Sequence, residues 1–173
     1  MQTVTQLRST LPRVGRVIWI GLSPAARAEL ISVDQVIARV GTGLDGDYHA
    51  RSGKSKREVT LIQAENLKVV AELLDMPSIA PGRVRRNIVV AGINLAALAQ
   101  TRFEIGEVLL EGTGPCAPCS RMEENLGIGG YNAMRGYGGI TTCVLREGGI
   151  RVGDAVRFVE LSPIGNNADD TDE

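Results

Sequence analysis

Two of the three cysteines lie three positions apart in a loop rich in glycine and proline. Residues 112–120 read Gly-Thr-Gly-Pro-Cys-Ala-Pro-Cys-Ser, and the two thiols are those of Cys116 and Cys119. Ser120 and Glu123 have the Ser-x-x-Glu spacing of a helix capping box, so Cys119 is predicted to lie directly before a helix N-cap. Unpaired amides and the positive end of the helix dipole favour a thiolate there, and a thiolate attacks electrophiles or binds soft metals. Cys119 is therefore the leading candidate for a catalytic residue or metal ligand.

The Cys-x-x-Cys spacing by itself admits other chemistries. It fits half of a zinc site, which Cys143 and His49 would have to complete, or a redox pair. A thioredoxin-type pair would need a parallel βαβ setting, which the pattern around residues 112–120 does not suggest. We expect Cys143, in a strand-like run, to be a small buried core residue. For Cys116 the sequence leaves both a catalytic and a structural role open.

His49, the only histidine, ends a loop dense in glycine and aspartate at residues 41–49. It is a candidate ligand or proton donor, or else a turn residue bound to Asp45 or Asp47. Basic side chains follow this loop and recur further along the chain, and guanidinium groups suit bidentate contacts with phosphate. The candidates for binding an anionic cofactor are Asp45, Lys54, Arg57, Arg86, Asn87, Arg135 and Gly136.

Composition limits the partners. The net charge of -1 and the six aromatic residues give no reason to expect nucleic acid. The longest early apolar run, residues 17–22, is too short for a signal or membrane segment, and the cysteine count is odd. We therefore predict a cytoplasmic protein without a membrane partner.

Short β-type segments outnumber helical ones. Strand patterns occupy residues 14–22, 31–40, 58–62, 88–91, 102–111 and 140–146, whereas apolar residues recur at helical spacing over residues 64–74. Glycines at 106 and 153 are expected to bend strands at barrel corners. The pattern predicts a mostly β fold, a closed or partly open β-barrel with a few short helices. We expect a flexible arm at residues 1–13, a single domain at 14–162 and a disordered acidic tail at 163–173.

A series of short blocks resembles the MOSC family, named for the C-terminal domain of molybdenum cofactor sulfurases. The resemblance extends from about residue 14 to residue 161 and depends on the order of the blocks, since none of them is specific alone. The blocks are Gly43-Leu-Asp-Gly-Asp47 with His49, Val59-Thr-Leu-Ile62 with Glu65, Arg86-Asn87-Ile-Val-Val90 with Gly92-Ile-Asn-Leu95, Pro118-Cys119, and Arg135-Gly-Tyr-Gly-Gly139 through Gly153-Asp154.

The resemblance implies a MOSC or pyruvate-kinase-barrel-like β-barrel that binds the molybdenum cofactor, a molybdopterin-type group. Cys119 matches the family's essential cysteine, which carries sulfur as a persulfide or binds molybdenum as a thiolate in members that reduce N-hydroxylated compounds. Arg86 and Arg135 would hold the phosphate of the pterin. Cys116 is an addition to the family pattern, and a Cys116–Cys119 disulfide would protect or gate the thiolate.

The sequence contains no pattern for the pyridoxal-phosphate half of the long sulfurases or for a ferredoxin-type cysteine set. We therefore expect no pyridoxal phosphate in this chain, and a separate cysteine desulfurase or electron-donor protein as partner. The alternatives to a cofactor-binding protein are a persulfide sulfur carrier and a non-catalytic binding module with a redox-sensitive Cys-x-x-Cys clip.

Overall fold

Strands rich in Val, Ile and Leu form most of the computed structural model, which describes residues 1–50 and 55–163. The strands are β1 Gly15–Leu22, β2 Ile31–Val33, β3 Gln35–Arg39, β4 Gly43–Leu44, β5 Val59–Gln63, β6 Ile88–Ala91, β7 Thr101–Ile105, β8 Val108–Pro115, β9 Ile140–Arg146, β10 Gly148–Arg151 and β11 Ala155–Leu161. The helices are α1 Val4–Arg8, α2 Ala64–Leu73, α3 Ser120–Leu126 and α4 Gly130–Met134, with 3-10 turns at Pro81–Val84 and Leu95–Leu98.

Seven strands close into a barrel. The order is β1, β6, β5, β9, β8, β7 and β11, and β11 pairs back onto β1 at Gly15 and Val156. Among the strands of the described residues, β5 and β6 alone run parallel, because α2 and the Pro81–Val84 turn carry the chain back between them. β2 pairs with β1 beside this ring, and β10, β3 and β4 form a small second sheet. The closed form of the predicted barrel is confirmed.

Two apolar clusters hold the fold together. The first fills the barrel with side chains such as Phe103, Leu61 and Ile88, all of them fully buried. The second lies outside the barrel wall, where Ile62 and Val89 pack against α2, α3 and α4. β5 and β6 are therefore covered on both faces, and this second layer fixes the start of α3 against the barrel.

Part of the segment that we expected to be a flexible arm is helical. Val4–Arg8 forms a short helix whose N-cap Thr3 completes a capping box with Gln6. Arg13 Nε donates to the carbonyl of Gly92 at 2.9 Å, and Leu11 packs against the barrel core. Within the predicted acidic tail, residues 164–173 lie outside the described part of the chain.

Two strand predictions also change. Residues 31–40 divide at Asp34 into β2 and β3, which belong to different sheets. Gly106 lies in a tight hairpin turn and not in a bend, since Ile105 pairs with Val108 and Gly106 has a φ of 57°. The similar segment around Gly153 does turn a corner, because it joins β10 in the small sheet to β11 in the barrel.

Over residues 1–50 and 55–163, no helix has the length and apolar character needed to cross a membrane.

Candidate active site

The cysteine loop joins β8 to α3 and presents one thiol to solvent. Cys119 is the N-cap residue of α3 and is exposed, whereas Cys116 is 2% exposed. The backbone N–H of Cys116 donates to the carbonyl of Gly139 at 2.8 Å. All three cysteines are free thiols, so the Cys116–Cys119 disulfide is not formed in this structure. Cys119 is therefore the most exposed of the three thiols.

The predicted capping box at Ser120 is wrong. Cys119 is itself the N-cap, and no side chain caps the helix. The Glu123 carboxylate instead accepts hydrogen bonds from the backbone amides of Gly129 at 2.7 Å and Tyr131 at 2.9 Å. These bonds, that from Tyr131 first, lower the pKa of Glu123 below its ordinary value. Glu123 therefore joins α3 to the start of α4.

Arg86 supports the cysteine loop from inside the protein. Its side chain is buried, with Nε donating to the carbonyl of Gly138 at 2.7 Å and Nη1 to that of Val84 at 3.0 Å. Nη2 donates to the carbonyls of Cys116 at 3.2 Å and Ala117 at 3.5 Å. The guanidinium therefore binds backbone carbonyls, which differs from its predicted contact with a phosphate.

Several charged or ionisable groups act on Arg86. Burial lowers its pKa, and the thiol of Cys116, when ionised, acts in the opposite direction. Arg57 lowers the pKa of Arg86 and Cys119 raises it, both by charge interaction. Arg86 is thus a fixed positive charge that interacts with both thiols of the Cys-x-x-Cys segment.

Glycines let the 135–139 segment approach the cysteine loop. A Cβ on Gly138 would lie 2.1 Å from the carbonyl oxygen of Cys116, and one on Gly139 would lie 1.8 Å from that of Leu61. Of the two residues predicted in this segment to bind the cofactor, Arg135 is exposed, and Gly136 lines a separate cavity of about 480 Å³. The segment approaches the cysteine loop at Gly138 and Gly139.

A buried carboxylate organises the loop that precedes His49. Asp47 Oδ2 accepts from the backbone N–H of Ser23 at 3.1 Å and from Asn87 Nδ2 at 2.8 Å. Asp47 Oδ1 accepts from the backbone N–H of His49 at 2.9 Å and lies 3.1 Å from its Nδ1. Of the two carboxylates considered for His49, Asp47 is therefore the partner, and Asp45 instead pairs with Arg39 on the surface.

These residues border a cavity of about 260 Å³. The sequence analysis identified His49, Arg57 and Asn87, and the structure brings them together here; Lys54 lies outside the described residues. Arg85, one of the basic side chains that recur beyond this loop in the sequence, also lines the cavity and has a left-handed φ of 55°. The cavity is lined by Ser23, Leu30, Asp47, His49, Ser55, Arg57, Glu58, Thr60, Arg85 and Asn87.

A second cavity of about 370 Å³ adjoins the first, since Leu30 and Arg85 line both. Arg121, two residues after Cys119 on α3, belongs to its wall. The cavity carries four arginines and one glutamate, namely Arg27, Arg83, Arg85, Arg121 and Glu29. A surface of this charge favours anionic ligands.

The third cysteine is not a core residue, contrary to prediction. Cys143 is half-buried on β9, and its Sγ donates to the carbonyl of Ser55 at 3.2 Å. Burial, followed by the charges of Glu58 and Glu111, raises its pKa. Among the described residues, no group of three His, Cys, Asp or Glu side chains is placed to hold a metal ion.

Comparison with known proteins agrees with this fold. The family model for the MOSC domain matches residues 48–157, more than half of the chain. The chain therefore belongs to the MOSC domain family. No curated protein matches the sequence.

Solved structures share the fold at low sequence identity. The YuaD protein from Bacillus subtilis superposes with a TM-score of 0.75 at 18% identity, over 86% of this chain and 98% of that chain. YiiM from Geobacillus stearothermophilus gives a TM-score of 0.69 at 18% identity, over 84% of this chain and 75% of that one. YiiM from Escherichia coli gives 0.65 at 19% identity, over 84% and 70%.

Proposed function

We propose that this MOSC protein binds the molybdenum cofactor with Cys119 as the protein thiolate on molybdenum, as a component of a molybdenum-dependent oxidoreductase. The observation that carries the proposal is the exposure of Cys119 on a loop that the buried Arg86 holds in place. A fixed, accessible thiolate is a soft ligand, which suits a transition metal. Molybdenum would supply the redox chemistry, with electrons from a separate donor protein.

The residues present fit such a group. A cofactor that brings its own metal needs few protein ligands, and the described residues contain no three-ligand cluster that would bind a free metal ion. Arg57 and Arg85 line the 260 Å³ cavity and offer guanidinium donors to a phosphate. Asp47 and Asn87 fix each other and the backbone around them, so they shape the cavity wall.

Metal analysis tests the proposal. The protein is purified from cells that make the cofactor, and its molybdenum content is measured for the wild type, Cys119→Ser and Cys143→Ser. The proposal expects molybdenum in the wild type and in Cys143→Ser, whose thiol is half-buried and bound to Ser55, and its loss from Cys119→Ser. Equal molybdenum in all three proteins would exclude Cys119 as the ligand.

The exposed thiol also favours a second candidate, a persulfide sulfur carrier. The Cys119 thiolate would attack the outer sulfur of a persulfide on a separate cysteine desulfurase. A new S–S bond forms on Cys119, the S–S bond of the donor breaks, and the donor cysteine leaves as a thiolate. No external oxidant is needed, because the sulfur is already at the sulfane level.

Mass spectrometry separates the two candidates. After incubation with a desulfurase and free cysteine, a carrier gains one sulfur atom on the peptide that contains Cys119, and Cys119→Ser does not. Absence of the adduct, under conditions that load a known carrier, would reject this candidate. If Cys116→Ser and Cys119→Ser both leave metal content and sulfur loading unchanged, the third alternative, a binding module with a redox-sensitive clip, gains support.

A further inference from the structure

The arginine-rich cavity of about 370 Å³ is built differently from the cavity beside His49. Its walls come from the loop at residues 23–30, the Pro81–Val84 turn and α3. Neither Asp47 nor His49 lines it, and among the described residues of its lining the one carboxylate is that of Glu29. The four guanidinium groups therefore produce a local excess of positive charge in a chain whose net charge is -1.

The backbone is strained where it supplies two of these arginines. Arg27 has a φ of 62° and Arg85 a φ of 55°, and they are two of the three non-glycine residues with positive φ in the described part of the chain. A left-handed conformation costs a residue with a Cβ about 1 kcal/mol, and such strain clusters at ligand sites. Arg85 Nη1 also donates to the carbonyl of Ala28 at 2.6 Å, which ties the two walls together.

The arginines differ in how far the protein already occupies them. Arg83 donates through Nε and Nη2 to the carbonyl of Asn125, and Arg121 pairs with Glu124 through Nη1. Arg27 is exposed and has no hydrogen-bond partner among residues 1–50 and 55–163. The charge of Arg27 or Arg121 can therefore be removed without breaking a hydrogen bond that joins two segments of the cavity lining, as those of Arg83 and Arg85 do.

We infer that this cavity binds the phosphate group of a small molecule other than the cofactor. A carboxylate would carry one negative charge, whereas a phosphate monoester carries about −1.5 to −2 at neutral pH and offers three acceptor oxygens. Phosphate therefore matches several guanidinium groups better than a carboxylate does. Arg121 places this site beside the start of α3, two residues from Cys119. The inference does not depend on the proposed cofactor, since it concerns anion binding by the free chain at a cavity that shares only Leu30 and Arg85 with the cavity beside His49.

Calorimetric titration of inorganic phosphate into the full chain tests the inference. Binding is compared among the wild type, Arg27→Gln, Arg121→Gln and the matched control Arg157→Gln, an exposed arginine on β11. Loss of one charge-assisted contact should weaken phosphate binding about tenfold in each cavity variant. The control should bind like the wild type, and thermal unfolding checks that every variant is folded. Equal affinity in all four proteins, or no binding by the wild type, overturns the inference.

Two further arms fix the ligand class and its relation to the cofactor. Acetate at matched ionic strength should bind at least about tenfold more weakly than phosphate, and equal binding would overturn the assignment to phosphate. Protein that contains molybdenum should bind phosphate as the cofactor-free chain does. If loading abolishes phosphate binding, the cavity belongs to the cofactor and the inference is wrong. If the protein takes up no molybdenum, that result counts against the proposed function alone, because the titration of the cofactor-free chain still tests phosphate binding by this cavity.

Discussion

Replacing Arg86 by methionine should both destabilise the barrel and release the cysteine loop. The guanidinium donates to three backbone carbonyls at 2.7–3.2 Å, and such bonds from a charged donor contribute about 1.5–3 kcal/mol each. The cost of burying the charge offsets part of this sum, and we expect a net loss of about 3–5 kcal/mol in the free energy of unfolding. For a domain of this size, the melting temperature should fall by roughly 6–20 °C.

Denaturant unfolding and thiol labelling measure the two effects. In the wild type, iodoacetamide should modify Cys119 rapidly and Cys116 slowly, because Cys116 is 2% exposed. Arg86→Met should make Cys116 reactive, since two carbonyls of its loop lose their donor. Arg86→Lys keeps the charge but has no planar fork, so it should restore only part of the stability. The control Arg157→Met should change stability by less than about 0.5 kcal/mol.

The outcome that refutes this reasoning is specific. If the free energy of unfolding of Arg86→Met is within about 1 kcal/mol of the wild-type value and Cys116 stays unreactive, the carbonyl contacts do not hold the loop. If stability falls but the labelling pattern does not change, Arg86 supports the barrel in general and not the cysteine loop.

Three further substitutions, at Gly138, Glu123 and Asp47, test other contacts of the site. Gly138→Ala should cost about 1–3 kcal/mol and disturb the loop, seen by unfolding and crystallography, because its Cβ would lie 2.1 Å from the Cys116 carbonyl oxygen. Glu123→Gln should lower the melting temperature at pH 7. Because two backbone amides hold the pKa of the carboxylate below its ordinary value, the difference should be constant above that ordinary pKa and vanish as pH falls through the lowered one. Asp47→Asn should cost about 1–3 kcal/mol in urea unfolding, because the amide nitrogen that replaces one carboxylate oxygen cannot accept the hydrogen bonds which that oxygen accepts, whereas Asp45→Asn on the surface should cost much less.

Local patterns were enough to predict many of the elements. The strand at residues 140–146 and the helix over residues 64–74 agree with the structure to within one residue. In each segment the buried apolar residues recur with the period of the strand or helix itself, so a short stretch of sequence is enough to show the pattern. The sequence also selected Cys119 over the other thiols, since two prolines and a helix start are local features.

The different contacts of neighbouring arginines could not be predicted from such local patterns. Arg85 and Arg86 are neighbours, yet Arg85 lines two cavities while Arg86 binds carbonyls 30 and 52 residues away. The left-handed conformation of Arg85 turns the chain between them, and no residue-type preference marks an arginine for that conformation.

Two other contacts of the site also depend on how the elements pack against one another. Glu123 was predicted to cap its own helix, but the amides of the next helix lie within reach once both helices pack on the barrel. Asp47 was one of two equivalent aspartates until its bonds to Ser23 and Asn87 distinguished it from Asp45. The sequence by itself determined the β-rich pattern, the family and the candidate cysteine, whereas the closed barrel decided that Arg86 meets the loop of that cysteine, because this contact joins residues 30 positions apart in the chain.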